Sequence, residues 1–258
     1  MIFIKVTILG TGAYGIALAL MFNKNVENIV MWTKYEEEKE RIERDRENKF
    51  VLSGIKLPKN IKFTNDINFA IKEADLIVIA VPAGYVNDIS ILLKDYIKEN
   101  QHILIASKGI ERNTCSFVHD ILLRHVKTNN LGVISGPSFA IDVSNNEPVG
   151  LSLGTKNKET EKLVKSTLQN DTLKLRTTDD IIGIEICGSI KNVIAIASGM
   201  ISGMGYSDST KAMFITEALH DIKSLIKAFG GNEKTILSYA GVGDLILTTT
   251  SIKSRNYK

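Results

Sequence analysis

Cysteine is scarce in this chain: two in 258 residues. Cys115 and Cys187 stand far apart, and each is read among apolar neighbours. Such a pair builds neither a disulfide framework nor a CxxC metal pattern, so the expected setting is a reducing cytoplasm, with no metal. Charge of one sign is also lacking, since the formal net charge is only +3. That gives no basic footprint for nucleic acid and leaves a mild lysine excess that suits an anionic small molecule. The opening run MIFIKVTILG has no basic flank and no small-residue cleavage site, so it reads as a first strand and not as an export signal. Only residues 181–205 are apolar enough to consider as a membrane span. Glu185, Lys191 and recurrent glycines inside that run favour a buried helix, with no membrane partner. Repeats and low-complexity tracts are missing too.

What is present is ordinary globular material, 44% hydrophobic and 24% charged, enough for a large core or two. β-rich runs at 3–9, 28–32, 76–81, 103–106 and 131–135 alternate with helical segments, and 149–153 and 172–176 suit later strands. Short continuous apolar strands between helices predict a parallel sheet covered on both faces. The stretch 13–22 is a small-residue helix. The charged stretch 36–48 reads as a solvated helix or flap. Beyond residue 180 helical periodicity takes over, at 181–204, 209–229 and 233–238. The predicted fold is α/β: a Rossmann-type domain over 1–180, then an all-α domain over 181–258.

The N-terminal motif is KVTILGTGAYG. Gly10, Gly12 and Gly15 form GxGxxG directly after a strand and before a helix, the context a dinucleotide pyrophosphate requires. The second strand ends in Trp32-Thr33-Lys34, where NAD sites place an acid. Lys34 suits a 2′-phosphate and so NADP, while Glu36 to Glu38 pull the other way, so NAD and NADP both stay open. Lys108 follows the strand that ends in ASKG and is aimed at the crevice beyond the strand ends. In SGPSFA, Gly136 turns the chain and Ser138 offers a hydroxyl to a polar or phosphorylated ligand. Lys191 and Asn192 interrupt an otherwise apolar helix, CGSIKNVIAIASG. Burial lowers a lysine pKa, and such a lysine can give a proton to a carbonyl oxygen as hydride arrives. The plainer reading is a lysine that snorkels or pairs with an acid. Glu185, six positions away, is a poor partner within the helix. In GVGDLILTTTSIKSRN, Asp244 could set the charge state of Lys191, and Arg255 can grip a phosphate or carboxylate.

In chain order, GTGAYG, WTK, IKLPKNI, AVP, SKGIE, SGPSFA, CGSIKNVIAIASG, STKA and GDLILTTTSIKSRN resemble the bacterial-type NAD(P)-dependent glycerol-3-phosphate dehydrogenases over nearly the whole chain. The resemblance implies reduction of dihydroxyacetone phosphate to sn-glycerol 3-phosphate with NADH or NADPH, feeding phospholipid synthesis. It implies a Rossmann domain followed by substrate-binding helices like those of 6-phosphogluconate dehydrogenase. By resemblance Lys191 is the acid/base lysine, grouped with Asn192, Asp244 and Thr248. Lys108, Gly136, Ser138, Asp244, Ser254, Arg255 and Asn256 fall on substrate positions. Gly10, Gly12, Ala13, Tyr14, Gly15, Lys34, Lys108, Ala140 and Arg255 fall on cofactor positions. There are departures: Ser207-Asp208-Ser209 precedes TKA, and Glu217 replaces a family arginine. The family also runs on past SRN, so the helical domain is expected to be incomplete. A homodimer is one assembly the pattern allows. The alternatives are a β-hydroxyacid dehydrogenase and a dinucleotide-binding remnant without activity.

Overall fold

The computed structural model describes residues 4 to 258, so the predicted strand start at Phe3 lies outside the described residues. The first part alternates strictly: β1 Lys5–Leu9, α1 Ala13–Phe22, β2 Asn28–Trp32, α2 Glu36–Asp45, β3 Ile61–Thr64, α3 Ile67–Ile71, β4 Leu76–Ile79, α4 Val86–Leu93, β5 His102–Ile105, α5 Val118–Leu123, β6 Leu131–Ser135, α6 Ala140–Ser144, β7 Val149–Gly154, α7 Lys158–Leu168 and β8 Leu173–Thr178. Helices follow: α8 Ile181–Gly203, α9 Asp208–Ala228, a 3-10 turn Glu233–Leu237, a π-type turn Tyr239–Gly243 and α10 Asp244–Thr250.

The strands form one sheet in the order β3-β2-β1-β4-β5-β6-β7-β8. Successive residues of the central strands serve opposite faces. Val6, Ile8, Val78 and Leu104 join the core on the α1 side. Leu9, Ile77, Ile79, Ile103 and Ile105 join the core on the other side, which also takes in Ile184, Ile186 and Cys187 of α8. This two-sided burial is why the strands read as continuous apolar runs.

Several expectations need correcting. The sheet is not wholly parallel, because β7 pairs antiparallel with β6. Between the two strands, the five-residue α6 packs on α1. The chain does not return along the sheet there, and β7 starts from the end where β6 finished. The charged stretch is not solvated throughout. Its helix stops at Asp45, Arg46 takes a left-handed φ of 51°, and the chain turns inward. Glu47 and Asn48 are thereby buried. Cys187 is buried as read, but Cys115 is exposed.

The α8 helix starts at a buried cap. The Asp180 carboxylate accepts from the Gly183 amide, from the Asn232 amide at 2.9 Å and from the Thr235 hydroxyl. It is the one helix of the described residues long and apolar enough to cross a membrane, and half of its most apolar window is buried in the fold. Glu185 finds its partner across the fold. It accepts from the His119 amide at 2.9 Å and contacts the His119 ring. Burial pushes the His119 pKa down, and the Glu185 carboxylate outweighs this and raises it.

Candidate active site

The glycine turn sets one end of the site. Gly10 has φ of 121°, and a Cβ there would lie 2.6 Å from the Ala80 carbonyl oxygen. A Cβ on Gly15 would fall on the Gly10 carbonyl, so α1 packs directly on the turn. Gly12 is different: a Cβ there would have no atom within 4 Å. The backbone is thus open where a pyrophosphate would approach. Helix α1 starts at Ala13 without a side-chain cap, leaving its first N–H groups for an anion. The residues present fit a dinucleotide.

A cleft of about 750 Å³ opens beside this turn. Gly12, Ala13 and Tyr14 line it from the sheet part, with Lys108 and Ser138 from the loops beyond β5 and β6 and Ala140 from the start of α6. Lys253 and Arg255 close it from the C-terminal turn. The Tyr14 hydroxyl lies 3.1 Å from Ser138 Oγ, which also donates to the Gly136 carbonyl at 3.1 Å. Gly136 itself packs on the backbone of Gly150, where a Cβ would lie 2.7 Å from the carbonyl oxygen.

Next to Lys108 sits the most charged cluster of the interior. Asp244, at the first turn of α10, is almost wholly buried. Its Oδ2 accepts from Lys108 Nζ at 2.8 Å and its Oδ1 from Lys191 Nζ at 2.6 Å. Lys191 Nζ also lies 3.5 Å from the Thr248 hydroxyl, one helical turn beyond Asp244. Two ammonium groups therefore share one carboxylate. Burial, then the Lys108 charge, bring the Lys191 pKa down to about 8, against the pull of Asp244. Burial also depresses Lys108, but Asp244 and Tyr14 outweigh it and leave that lysine raised. The cluster has a surplus positive charge and one lysine able to exchange its proton near neutral pH. The turn at 239–243 kinks at Gly241 (ψ −108°) just before Asp244, and α10 packs on α8.

The other predicted positions are spread more widely. Asn192 points to the C-terminal turn, where its Oδ1 accepts from Asn256 Nδ2 at 2.9 Å. Arg255 is exposed at the cleft wall. Ser254 is buried away from the cleft, and its Oγ accepts from the Tyr257 amide at 3.4 Å. Lys34 is exposed just past β2. Of the departures, Ser207 caps α9, Asp208 pairs with Lys211, and Glu217 is exposed on α9. Sequence reasoning missed the cleft wall formed by Phe50, Val51 and Leu52. The signal was three apolar residues directly after a charged run, with Phe50 left exposed against the Arg41 guanidinium.

A family model for the N-terminus of NAD-dependent glycerol-3-phosphate dehydrogenase matches residues 5–161, and one for its C-terminus matches residues 180–258. The chain belongs to the NAD-dependent glycerol-3-phosphate dehydrogenase family. A glycerol-3-phosphate dehydrogenase (NAD(P)+) of Fusobacterium nucleatum is 38% identical over 98% of this chain and 76% of its own length. One of Agathobacter rectalis is 36% identical over the same shares. The crystal structure of glycerol-3-phosphate dehydrogenase from Coxiella burnetii superposes with a TM-score of 0.93 at 30% identity, covering 98% of this chain and 78% of that one. A D-mandelate dehydrogenase, at TM-score 0.63 and 13% identity, shares the fold alone. Both halves of a glycerol-3-phosphate dehydrogenase are therefore represented, a Rossmann-like domain and an all-helical one, and the cofactor class is NAD or NADP.

Proposed function

We propose that this chain reduces dihydroxyacetone phosphate to sn-glycerol 3-phosphate, reversibly, and supplies that product to glycerophospholipid synthesis. One observation carries the reading: the Lys108–Asp244–Lys191 cluster adjoins a cleft that begins at an open glycine turn. The bound dinucleotide supplies the hydride. Gly12 and the start of α1 hold its pyrophosphate, with Tyr14 and Ala140 around it and Lys34 toward the ribose end. Lys191 gives its proton to the substrate carbonyl oxygen as negative charge builds there, and recovers it from the hydroxyl in reverse. Asp244 keeps Lys191 oriented while burial and then the Lys108 charge hold its pKa low, and Thr248 braces the pair. Lys108 and Arg255 bind the phosphorylated substrate, with Arg255 offering two parallel donors. Ser138, Gly136, Asn256 and Asn192 shape the rest of the pocket, and Ser254 holds the turn that presents Arg255. The division of labour falls near residue 180, with 1–180 binding the dinucleotide and 181–258 supplying the acid. The unpaired cysteines fit a cytoplasmic setting.

The test is NADH or NADPH oxidation by the purified chain with dihydroxyacetone phosphate. Lys191→Ala is expected to lower turnover by about a thousandfold, within the usual range for general acid–base catalysis, and to leave dinucleotide binding intact. Near-normal turnover in that variant would remove Lys191 from its role. Tight dinucleotide binding by the parent chain without any turnover would favour the inactive remnant instead. Turnover of hydroxyacids in place of the ketose phosphate would favour the β-hydroxyacid reading.

A further inference from the structure

The acid that a Rossmann site places at the end of its second strand, on the ribose hydroxyls, is missing here, since Thr33 and Lys34 follow Trp32. The fold supplies a carboxylate at that point by another route. The Thr33 hydroxyl, directly past β2, donates to Glu38 Oε2. Asn48 Nδ2 donates to Glu38 Oε1 at 3.1 Å, and the same nitrogen donates to the carbonyl of Thr11 at 3.1 Å. Thr11 lies between Gly10 and Gly12. One carboxylate is thus fixed at both oxygens between the end of β2 and the glycine turn, which is where the adenosine ribose of a dinucleotide lies.

We propose that Glu38, reaching back from the first turn of α2, takes the ribose-binding role and makes this chain prefer NAD(H) over NADP(H). A carboxylate accepts about four hydrogen bonds. Thr33 and Asn48 use part of that capacity, and the rest is left for further donors. The ribose 2′-hydroxyl is a donor, whereas a 2′-phosphate is an anion with acceptor oxygens. The buried Asn48 Oδ1, which has no partner among the described residues, adds a further acceptor to the same corner. The cations that could oppose this are placed less well. Lys34 is exposed, with no hydrogen bond or ion pair fixing it among the described residues. Arg41 lays its guanidinium on the Phe50 ring, 4.5 Å from the centroid. A 2′-phosphate therefore meets a fixed negative charge before it meets a fixed positive one.

This inference rests on the dinucleotide site proposed above, and binding tests it without the ketose phosphate. Trp32, the only tryptophan and the last residue of β2, serves as donor for energy transfer to the reduced nicotinamide. Titration of the purified chain with NADH and NADPH is expected to give a Kd for NADH lower by about tenfold or more. Glu38→Gln removes the charge at constant shape, and is expected to shrink that gap to about threefold or less, mainly by strengthening NADPH. Thr33→Val, which frees the carboxylate, should narrow it in the same direction, and Lys34→Ala should leave NADH ahead. Should Glu38→Gln not fold, the parent ratio and Thr33→Val still decide. Equal binding of the two dinucleotides, or tighter NADPH, overturns the proposal and leaves the dehydrogenase reading standing. A ratio unchanged in Glu38→Gln does the same. If neither dinucleotide binds, both readings are overturned.

Discussion

The sheet part and the helical part of this molecule reach stability by different means. The central strands are sealed on both faces, with Val6, Ile8, Ile77 and Val78 at 0% exposure. The helices leave large apolar side chains in solvent, among them Met200 at 64%, Met204 at 69% and Leu237 at 74%. What fixes the helices is contact with the sheet part, through the apolar start of α8 and through a few polar ties. Those ties are the Asp180 cap, the Glu185–His119 pair and the Lys108–Asp244–Lys191 cluster. The glycine turn proposed to hold the dinucleotide is fixed by packing within the sheet part. The acid that would use it depends on a joint between the parts.

Breaking that joint should give the largest effect. Asp244→Asn leaves two buried ammonium groups without their counter-ion, and is expected to cost about 3 kcal/mol in denaturant-measured stability. Turnover should fall by about a hundredfold or more, while NADH binding by the glycine turn changes little. Equal losses of binding and turnover would erase the contrast drawn between the two parts.

A smaller effect is expected from pH. Ketone reduction needs the ammonium form of Lys191, so its rate should stay level below and fall as pH rises through about 8. Oxidation of the product needs the free amine and should rise over the same range. A reduction profile without that limb would sink the proton-donor role.

The smallest effect concerns the second tie. The folded pKa of His119 is raised above its ordinary value of 6.5, so its stabilising contribution is complete below that value and is lost as pH rises through the folded one. Comparing His119→Gln with the parent by thermal melting across this range should show a difference that shrinks as pH increases. A constant difference would mean that the contact is packing and not charge.

Much of the sheet part was legible because its residues obey local rules. The limits of α1 and β2 coincide with those read from periodicity and turn residues. The glycine motif carried its own context. The edge strand β3 went unnamed because the exposed Lys62 interrupts its apolar run, whereas β4, equally short, is apolar throughout. The antiparallel return of β7 goes with the packing of α6 on α1, a tertiary contact that no strand pattern encodes. In the helical part, Lys191 stood out as a charge in an apolar run, but its partner lies 53 residues away. No helical spacing connects them, and the packing of α10 on α8 is a tertiary contact. Glu38 was seen as a nearby charge, yet its direction was hidden, because Asn48 folds back only after Arg46 turns the chain.

The unequal surroundings of the three glycines in the first turn bear on how such a chain could drift. Gly10 and Gly15 are held by the protein itself, since a methyl group at either meets backbone. Gly12 is held by nothing inside the molecule, since a side chain there would enter empty space. A lineage that gave up its cofactor would therefore be free to change Gly12 at no cost to folding, while Gly10 and Gly15 stayed pinned. Of the three, Gly12 alone records whether a ligand is still being served, and in this chain it is still glycine.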